Sequence, residues 1–193
     1  MLKQILNAHV DNWITSLTFL PNGDLVSGLF KEIRIWSNGD NSNKDFTLKQ
    51  ILTGHASSVV SLLNLKNKYS NDFVSGEGTA SQSMIRVWKQ NQINTFFSLK
   101  NEIKLTPNRK LDSPLILLPN GNLAAASFNS ILIWDIVERM TLVHEFKSNE
   151  GEEREEDNKD FSIRAIAAWR PIDGYGYIGS GSDDKTIRVW KCF

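Results

Sequence analysis

The chain has 193 residues, which is long enough to bury a sizeable core as one domain or one repeat array. Its formal net charge is zero, so no global basic field points to nucleic acid or an anionic membrane. The single cysteine, Cys192, excludes an internal disulfide framework and fits a reducing compartment. The sequence has no run of about 18 apolar residues and no signal-peptide pattern at its start, so we expect neither a membrane span nor a signal peptide.

The first predicted elements are short strands joined by tight turns. In the turn Pro21–Asp24 an Asn-Gly pair favours the positive φ angles of a hairpin. A polar loop separates the third strand, which ends on Trp36, from an outer strand. The predicted strands of this first group are 13–19, 25–28, 33–36 and 46–52.

The remaining sequence repeats this arrangement. The predicted strands are 59–65, 73–76, 84–88 and 93–99, then 114–118, 123–126, 131–134 and 141–146, and finally 163–169, 175–180 and 186–190. A tryptophan ends the third strand of each group, and the four tryptophans are 52, 46 and 56 residues apart. A period of about 40–50 residues built from short strands is typical of propeller blades with four strands each.

A second signal recurs upstream of these strands. The segment Leu2–Leu6 is repeated letter for letter as Leu48–Leu52, and each copy is followed three residues later by a histidine, His9 or His55. Five identical residues in register with a histidine indicate a true internal repeat.

With these motifs the chain resembles the WD-repeat (WD40) family, whose unit runs from a Gly-His pair to a Trp-Asp pair. Thr53-Gly54-His55 is the best copy of the first signal, and Trp134-Asp135 is the only full copy of the second. The resemblance covers essentially the whole sequence. It implies an all-β fold, a β-propeller of four four-stranded antiparallel blades in one domain, 1–193. The repeats fall at about 2–36, 48–88, 95–134 and 141–190.

The last group lacks an outer strand, and the resemblance implies that Leu2–Leu6 supplies it. In the family the first strand completes the last blade in this way and closes the ring. Four blades are few for a propeller. A closed small ring and an open arc therefore both remain as expectations, as do two arcs that pair into eight blades.

The resemblance also implies a buried polar network in which a histidine bridges a turn aspartate to the tryptophan through a strand serine. Its expected members are His9, Ser27 and Trp36, then His55, Ser75 and Trp88, then Trp134, and finally Ser180, Asp184 and Trp190. The network is expected to be incomplete in every repeat. Because His9 and His55 share one repeat offset, we interpret them as structural and predict no metal site, catalytic residue or cofactor.

Two features suggest partner binding. Phe30 and Phe128 lie in turns where polar residues are usual, so they are either exposed aromatic anchors or side chains that fold back between blades. The insertion 149–160 carries a local charge of −5 and is either a solvated loop or a docking site for a basic peptide. Its candidate contact residues are Glu152, Glu153, Glu155, Glu156 and Asp157.

Three arginines, Arg34, Arg86 and Arg188, share one offset beside the tryptophans and are expected to be solvated strand residues. The sequence contains no nucleophile–base pair, phosphate-binding glycine loop or basic aromatic stretch.

We therefore predict a non-catalytic protein–protein interaction scaffold or adaptor, intracellular in the cytoplasm or nucleus. Its expected partners are proteins or peptides, with homodimerisation or association with further blades as additional modes, and not nucleic acid or membrane. The alternative is a propeller enzyme or small-ligand binder using the central channel, where the innermost strands offer only Thr15, Ser61 and Arg164.

Overall fold

The computed structural model describes residues 2–7, 12–39, 45–65, 71–78, 83–107, 109–111, 113–137, 139–148, 162–169 and 176–192. Every regular element in these ranges is a β-strand, and the strand pairs are antiparallel. The all-β prediction is therefore confirmed. The strands are β1 Ser16–Phe19, β2 Leu25–Gly28, β3 Phe30–Asn38, β4 Phe46–Asn64, β5 Phe73–Glu77, β6 Met84–Gln90, β7 Phe97–Lys104, β8 Ile116–Leu117, β9 Leu123–Ser127, β10 Ser130–Asp135, β11 Thr141–Lys147, β12 Ile163–Trp169, β13 Tyr177–Ser182 and β14 Ile187–Lys191.

The chain divides into two compact units, Met1–Thr79 with Met84–Lys104, and Ala80–Ser83 with Leu105–Phe193. In the first unit, β1 to β7 follow one another in a sheet of seven strands. The 19-residue β4 serves two strand groups, because its first part pairs with β3 and its last part pairs with β5. The core of this unit consists of Leu20, Val26, Ile33, Ile35, Leu52, Val59, Leu62, Phe73, Trp88 and Phe97.

Gly28, at the end of β2, marks a close approach of two strands in this unit. A Cβ atom at this position would lie 2.9 Å from the carbonyl oxygen of Val59 in β4. The same oxygen accepts hydrogen bonds from the hydroxyls of Thr15 at 2.8 Å and Ser16 at 2.6 Å. Only glycine leaves room for this packing of β2 against β4.

The second unit contains a four-stranded sheet, β8 to β11, and a three-stranded sheet, β12 to β14. Its core is formed by Leu118, Ala124, Ala126, Ile131, Ile133, Ile163 and Ile178. A two-residue turn joins β9 to β10, and Phe128 in this turn has a φ of 51°.

The predicted strands 46–52 and 59–65 are joined in β4, the strand predicted at 13–19 begins at Ser16, and two other predictions differ more. The outer strand expected at 93–99 begins only at Phe97, because the side chain of Asn91 accepts hydrogen bonds from the N–H groups of Ile93 and Asn94 and holds a loop there. The expected strand Leu2–Leu6 is not formed, since residues 2–7 carry no strand and β12–β14 have no fourth strand among the described residues. The four-blade count, the ring closure and the single domain therefore stay predictions.

Candidate functional site

The second repeat contains a buried row of polar side chains. The indole Nε1 of Trp88 donates a hydrogen bond to Ser75 Oγ at 2.7 Å, and His55 Nε2 lies 2.8 Å from the same oxygen. On the other side of the imidazole, Nδ1 lies 2.6 Å from Arg86 Nη1 and 3.3 Å from the carboxylate of Glu77. The row thus runs from the indole to a fully buried carboxylate.

The imidazole of His55 is neutral in this setting. A guanidinium can only donate, so the short contact with Arg86 makes Nδ1 an acceptor and leaves Nε2–H to donate to Ser75. Burial lowers the pKa of His55 to about 4, an effect that the charge of Arg86 strengthens and that of Glu77 opposes. We infer a structural histidine that does not change charge near neutral pH.

Glu77 supplies the acid that this repeat was expected to lack. It is 1% exposed, and its Oε2 accepts hydrogen bonds from the backbone N–H groups of Ala56 at 2.6 Å and Ser57 at 3.1 Å. Its other oxygen lies 3.6 Å from Arg86 Nη1. The expectation of an incomplete network in the second repeat is therefore wrong, since a glutamate directly after Ser75-Gly76 takes the acidic position.

The first and fourth repeats contain the indole–serine part of this arrangement. Trp36 Nε1 donates to Ser27 Oγ at 2.9 Å, and Trp190 Nε1 donates to Ser180 Oγ at 2.9 Å. His9, the expected histidine of the first repeat, lies outside the described residues.

In the fourth repeat, Asp184 organises its own turn. Its carboxylate accepts hydrogen bonds from the N–H and hydroxyl of Thr186 and from Arg188 Nη1 at 2.6 Å. Burial raises the pKa of the Asp184 carboxyl, but the hydrogen bonds from Thr186 and Arg188 outweigh this effect and hold the pKa well below its usual value. The aspartate is therefore ionised and locks the β13–β14 hairpin.

The three arginines at the common offset are not simply solvated. Each lies opposite the serine of the neighbouring strand. Each also pairs with an acid, Arg34 with Glu32 at 2.9 Å, Arg86 with Glu77 at 3.6 Å and Arg188 with Asp184 at 2.6 Å. The expectation was wrong most clearly for Arg86, which is only 6% exposed. Sequence reasoning missed Arg86 and Glu77; the shared Ser–Arg register was the signal that could have indicated them.

The third repeat fills the same positions with apolar side chains. Trp134 is buried, Ala125 stands at the serine position, and Leu132 lies opposite it at the arginine position. An apolar pair here needs no polar partner, so this repeat is held by packing.

Phe128 lies in the β9–β10 turn as predicted, whereas Phe30 is the first residue of β3 and pairs with Ser58; both aromatic side chains are partly exposed. Phe30 is 46% exposed with Lys31 Nζ 5.0 Å from its ring centroid, and Phe128 is 41% exposed. The acidic candidates Glu152, Glu153, Glu155, Glu156 and Asp157 lie outside the described residues.

The side chains expected to line a central channel are engaged locally. Thr15 donates to two backbone carbonyls, and Arg164 binds Asp183 with contacts of 2.6–3.0 Å. Ser61 is 3% exposed. In the part of the chain that the structure describes, no cluster of His, Cys, Asp or Glu could hold a metal ion.

Two segments of the chain, residues 1–37 and 157–191, match the family model of the WD domain, G-beta repeat. The chain contains WD40 repeats in these two segments. They correspond to the first and the last of the predicted repeats. No curated protein matches the chain.

Solved structures of Sqt1 resemble this chain in fold. Chaetomium thermophilum Sqt1, bound to the N-terminus of the ribosomal protein L10, has a TM-score of 0.66 and 15% identity over 95% of this chain and 44% of that one. Saccharomyces cerevisiae Sqt1 has a TM-score of 0.68 and 14% identity over 94% and 45% of the two chains. This chain thus spans less than half the length of those proteins.

Proposed function

We propose that this chain is a non-catalytic interaction module whose repeats bind protein segments at the β2–β3 and β9–β10 connections, each considered by itself. The observation that supports this most is the exposure of Phe30 and Phe128 at equivalent connections of two repeats. Partly exposed aromatic side chains on rigid turns are common anchors of protein interfaces. The Sqt1 structure with a ribosomal-protein N-terminus is a WD40-like example of binding to a protein segment.

A capture experiment with matched variants tests this proposal. The tagged chain is incubated with lysate of its source cells, and the bound proteins are quantified by mass spectrometry. Phe30→Ser and Phe128→Ser should each remove a subset of the captured proteins. Phe96→Ser is the control, because Phe96 is also 46% exposed but lies in the β6–β7 turn at the opposite strand ends. Equal losses with all three variants would refute the proposal.

The acidic insertion 149–160 is proposed as a second contact, for a basic peptide. Its five net negative charges would attract such a peptide, with a strength that falls as salt rises. Replacing Glu152, Glu153, Glu155, Glu156 and Asp157 by their amides should weaken capture and flatten its salt dependence. Unchanged capture would reject this contact. We also propose an intracellular location; the described residues include no helix that could cross a membrane.

We further propose that the repeats form four blades and that the segment Leu2–Leu6, which forms no strand in this structure, completes one of them. Gln50, in β4, bonds through its side-chain amide to both backbone groups of Phe97, the first residue of β7. Gln4 bonds in the same way to Phe46, the first residue of β4. Gln4 thus contacts the first strand group as Gln50 contacts the second, which supports assigning the segment around Gln4 to a blade.

Cysteine cross-linking tests which blade this segment completes. Leu6 corresponds to Leu52 in the repeated segment, and Ile187 corresponds to Ile33 by its offset from the tryptophan. Because Ile33 pairs with Leu52, Leu6 should face Ile187 of β14, whose side chain is 82% exposed. In a Cys192→Ser background, Leu6→Cys with Ile187→Cys should cross-link within one chain if the ring closes on itself. Cross-links between chains, with a dimer in light scattering, would indicate paired arcs. Failure to cross-link would refute the strand assignment.

A further inference from the structure

A cavity of about 430 Å³ opens beside the β9–β10 turn in the second compact unit. It is lined by Pro107, Arg109, Ser127, Phe128, Asn129, Ser130, Glu145 and Lys147. Its volume lies in the lower part of the range of ligand sites and suits two or three peptide residues.

Two cationic side chains and one buried hydroxyl of this cavity have donor capacity that the described residues leave unused. Ser127 is 2% exposed, and its hydroxyl makes no hydrogen bond. Lys147 is exposed, and among the described residues its charge acts on Glu145 at a longer range than an ion pair. Arg109 uses only Nη2, which contacts both carboxylate oxygens of Glu145 at 2.8 and 2.9 Å, so its other guanidinium nitrogens stay available. An acceptor-rich ligand would satisfy all three.

The charge of the lining favours a monoanion. The hydrogen bond from Arg109 lowers the pKa of Glu145, and burial opposes this shift only in part, so Glu145 is ionised. Arg109, Lys147 and this carboxylate together leave one positive charge. A carboxylate balances that charge, whereas a doubly charged phosphate would leave an excess of negative charge beside Glu145.

A comparison of repeats supports the same ligand. Ser127 follows Ala125-Ala126 as Glu77 follows Ser75-Gly76. Each is the last paired residue before the turn of its hairpin. The second repeat therefore places its own buried carboxylate at the position where the third repeat has a short serine beside a cavity. A carboxylate from a ligand would restore there what Glu77 supplies.

We propose that this cavity binds a carboxylate of a peptide whose neighbouring apolar side chain packs on Phe128. The carboxylate is either an acidic side chain or a free C-terminus. The inference rests on the proposed interaction function. However, its test uses synthetic peptides rather than a cellular partner, so either proposal can fail while the other holds.

The test titrates the full chain with peptides and monitors the NMR shifts of the 127–130 amides. The buffer contains about 0.15 M salt, which screens the charges of more distant acids. The probes are acetyl-Leu-Asp-Leu-amide, acetyl-Leu-Leu-Leu with a free C-terminus, and the neutral acetyl-Leu-Asn-Leu-amide. At least one carboxylate probe should bind about tenfold or more tightly than the neutral peptide, since hydrogen bonds to charged groups are the stronger ones. The probe that binds identifies the carboxylate source. Equal binding of all three would overturn the proposal.

Variants separate binding from folding. Lys147→Glu should abolish the preference for carboxylate, whereas Lys100→Glu, a similar change on the exposed face of β7, should not. Ser127→Ala should weaken binding about tenfold and yet raise Tm, because it removes a buried hydroxyl without a partner. Ser113→Ala, which removes a buried hydroxyl that accepts from Ala126 N–H at 2.9 Å, should lower Tm and leave binding intact. A Ser127→Ala variant with lower Tm and unchanged affinity would contradict the proposal.

Discussion

The buried carboxylate of Glu77 should contribute far more to stability than the exposed acid that shares its arginine. Arg86 pairs at 3.6 Å with Glu77, whose side chain is 1% exposed, and at 3.6 Å with Glu102, whose side chain is 37% exposed. Distance and partner are therefore matched, whereas burial and the backbone hydrogen bonds that Glu77 accepts are the differences. Glu77→Ala and Glu102→Ala form a controlled pair of variants.

The expected magnitudes follow from what each change leaves behind. Glu77→Ala removes the carboxylate that accepts hydrogen bonds from the N–H groups of Ala56 and Ser57, and it leaves Arg86 without its buried partner. Removing one member of a buried pair typically costs about 3–5 kcal/mol, and an unsatisfied buried donor costs about 1–3 kcal/mol. We expect a loss near 4 kcal/mol, on the order of the first range. Glu102→Ala should cost about 1 kcal/mol or less, because exposed ion pairs are weak.

Urea unfolding followed by tryptophan fluorescence measures both losses, since Trp88 belongs to the same network. Glu77→Gln is a useful third variant, because it keeps the size of the side chain and removes its charge. It should lie between the other two. Equal destabilisation by Glu77→Ala and Glu102→Ala would refute the reasoning that burial makes this carboxylate important.

Three further predictions concern the same polar side chains. The pKa of His55 is about 4 in the folded chain, against an ordinary value of about 6.5 for histidine. The free energy of unfolding should therefore be highest above pH 6.5 and fall by up to about 3 kcal/mol as the pH drops towards 4. Urea unfolding of the wild type and of His55→Asn checks this, and the variant should have the flatter pH profile. In the same assay, Ser75→Ala should lower the free energy of unfolding by about 2–3 kcal/mol and Ser180→Ala by about 1 kcal/mol. The reason is that Ser75 Oγ accepts from Trp88 and His55, whereas Ser180 Oγ accepts from Trp190. The reverse order would contradict this. Gln4→Ala should expose residues 2–7 to protease cleavage, because it removes their side-chain hydrogen bond to Phe46. Gln50→Ala, which removes the equivalent bond to Phe97, should mainly lower Tm. Residues 2–7 that stay intact in Gln4→Ala would refute the first expectation.

The strands were predictable because their signals are local. Alternating apolar residues, Asn-Gly turns and a tryptophan at the end of each third strand place most elements within a few residues of their observed bounds. The β7 boundary was missed because the side chain of Asn91 caps a loop, which depends on hydrogen bonds that a pattern does not reveal. The absence of a strand at Leu2–Leu6 could not be predicted from its identity to Leu48–Leu52, since a strand forms only when it is paired.

The candidate site was less predictable because it depends on contacts between strands. Ser75 and Trp88 follow from the repeat offset, and their hydrogen bond is present. The role of Glu77 depends on the reach of a longer side chain from the strand to the N–H groups of Ala56 and Ser57. The burial of Arg86 depends in turn on that carboxylate. A sequence search for an aspartate in the turn therefore overlooks the acid that is present.

The repeats of this chain show two physical answers to one buried position. The second repeat uses an ionic set around Glu77 and Arg86, whose desolvation is offset only because every member has a partner. The third repeat replaces the serine and arginine by Ala125 and Leu132, which pack without partners. Replacing a whole buried ionic set by apolar residues is often neutral, whereas removing one member is costly. The repeats could therefore diverge between these states only through coordinated changes. Among the described residues of the third repeat, the hydroxyl of Ser127 is buried and has no hydrogen-bond partner.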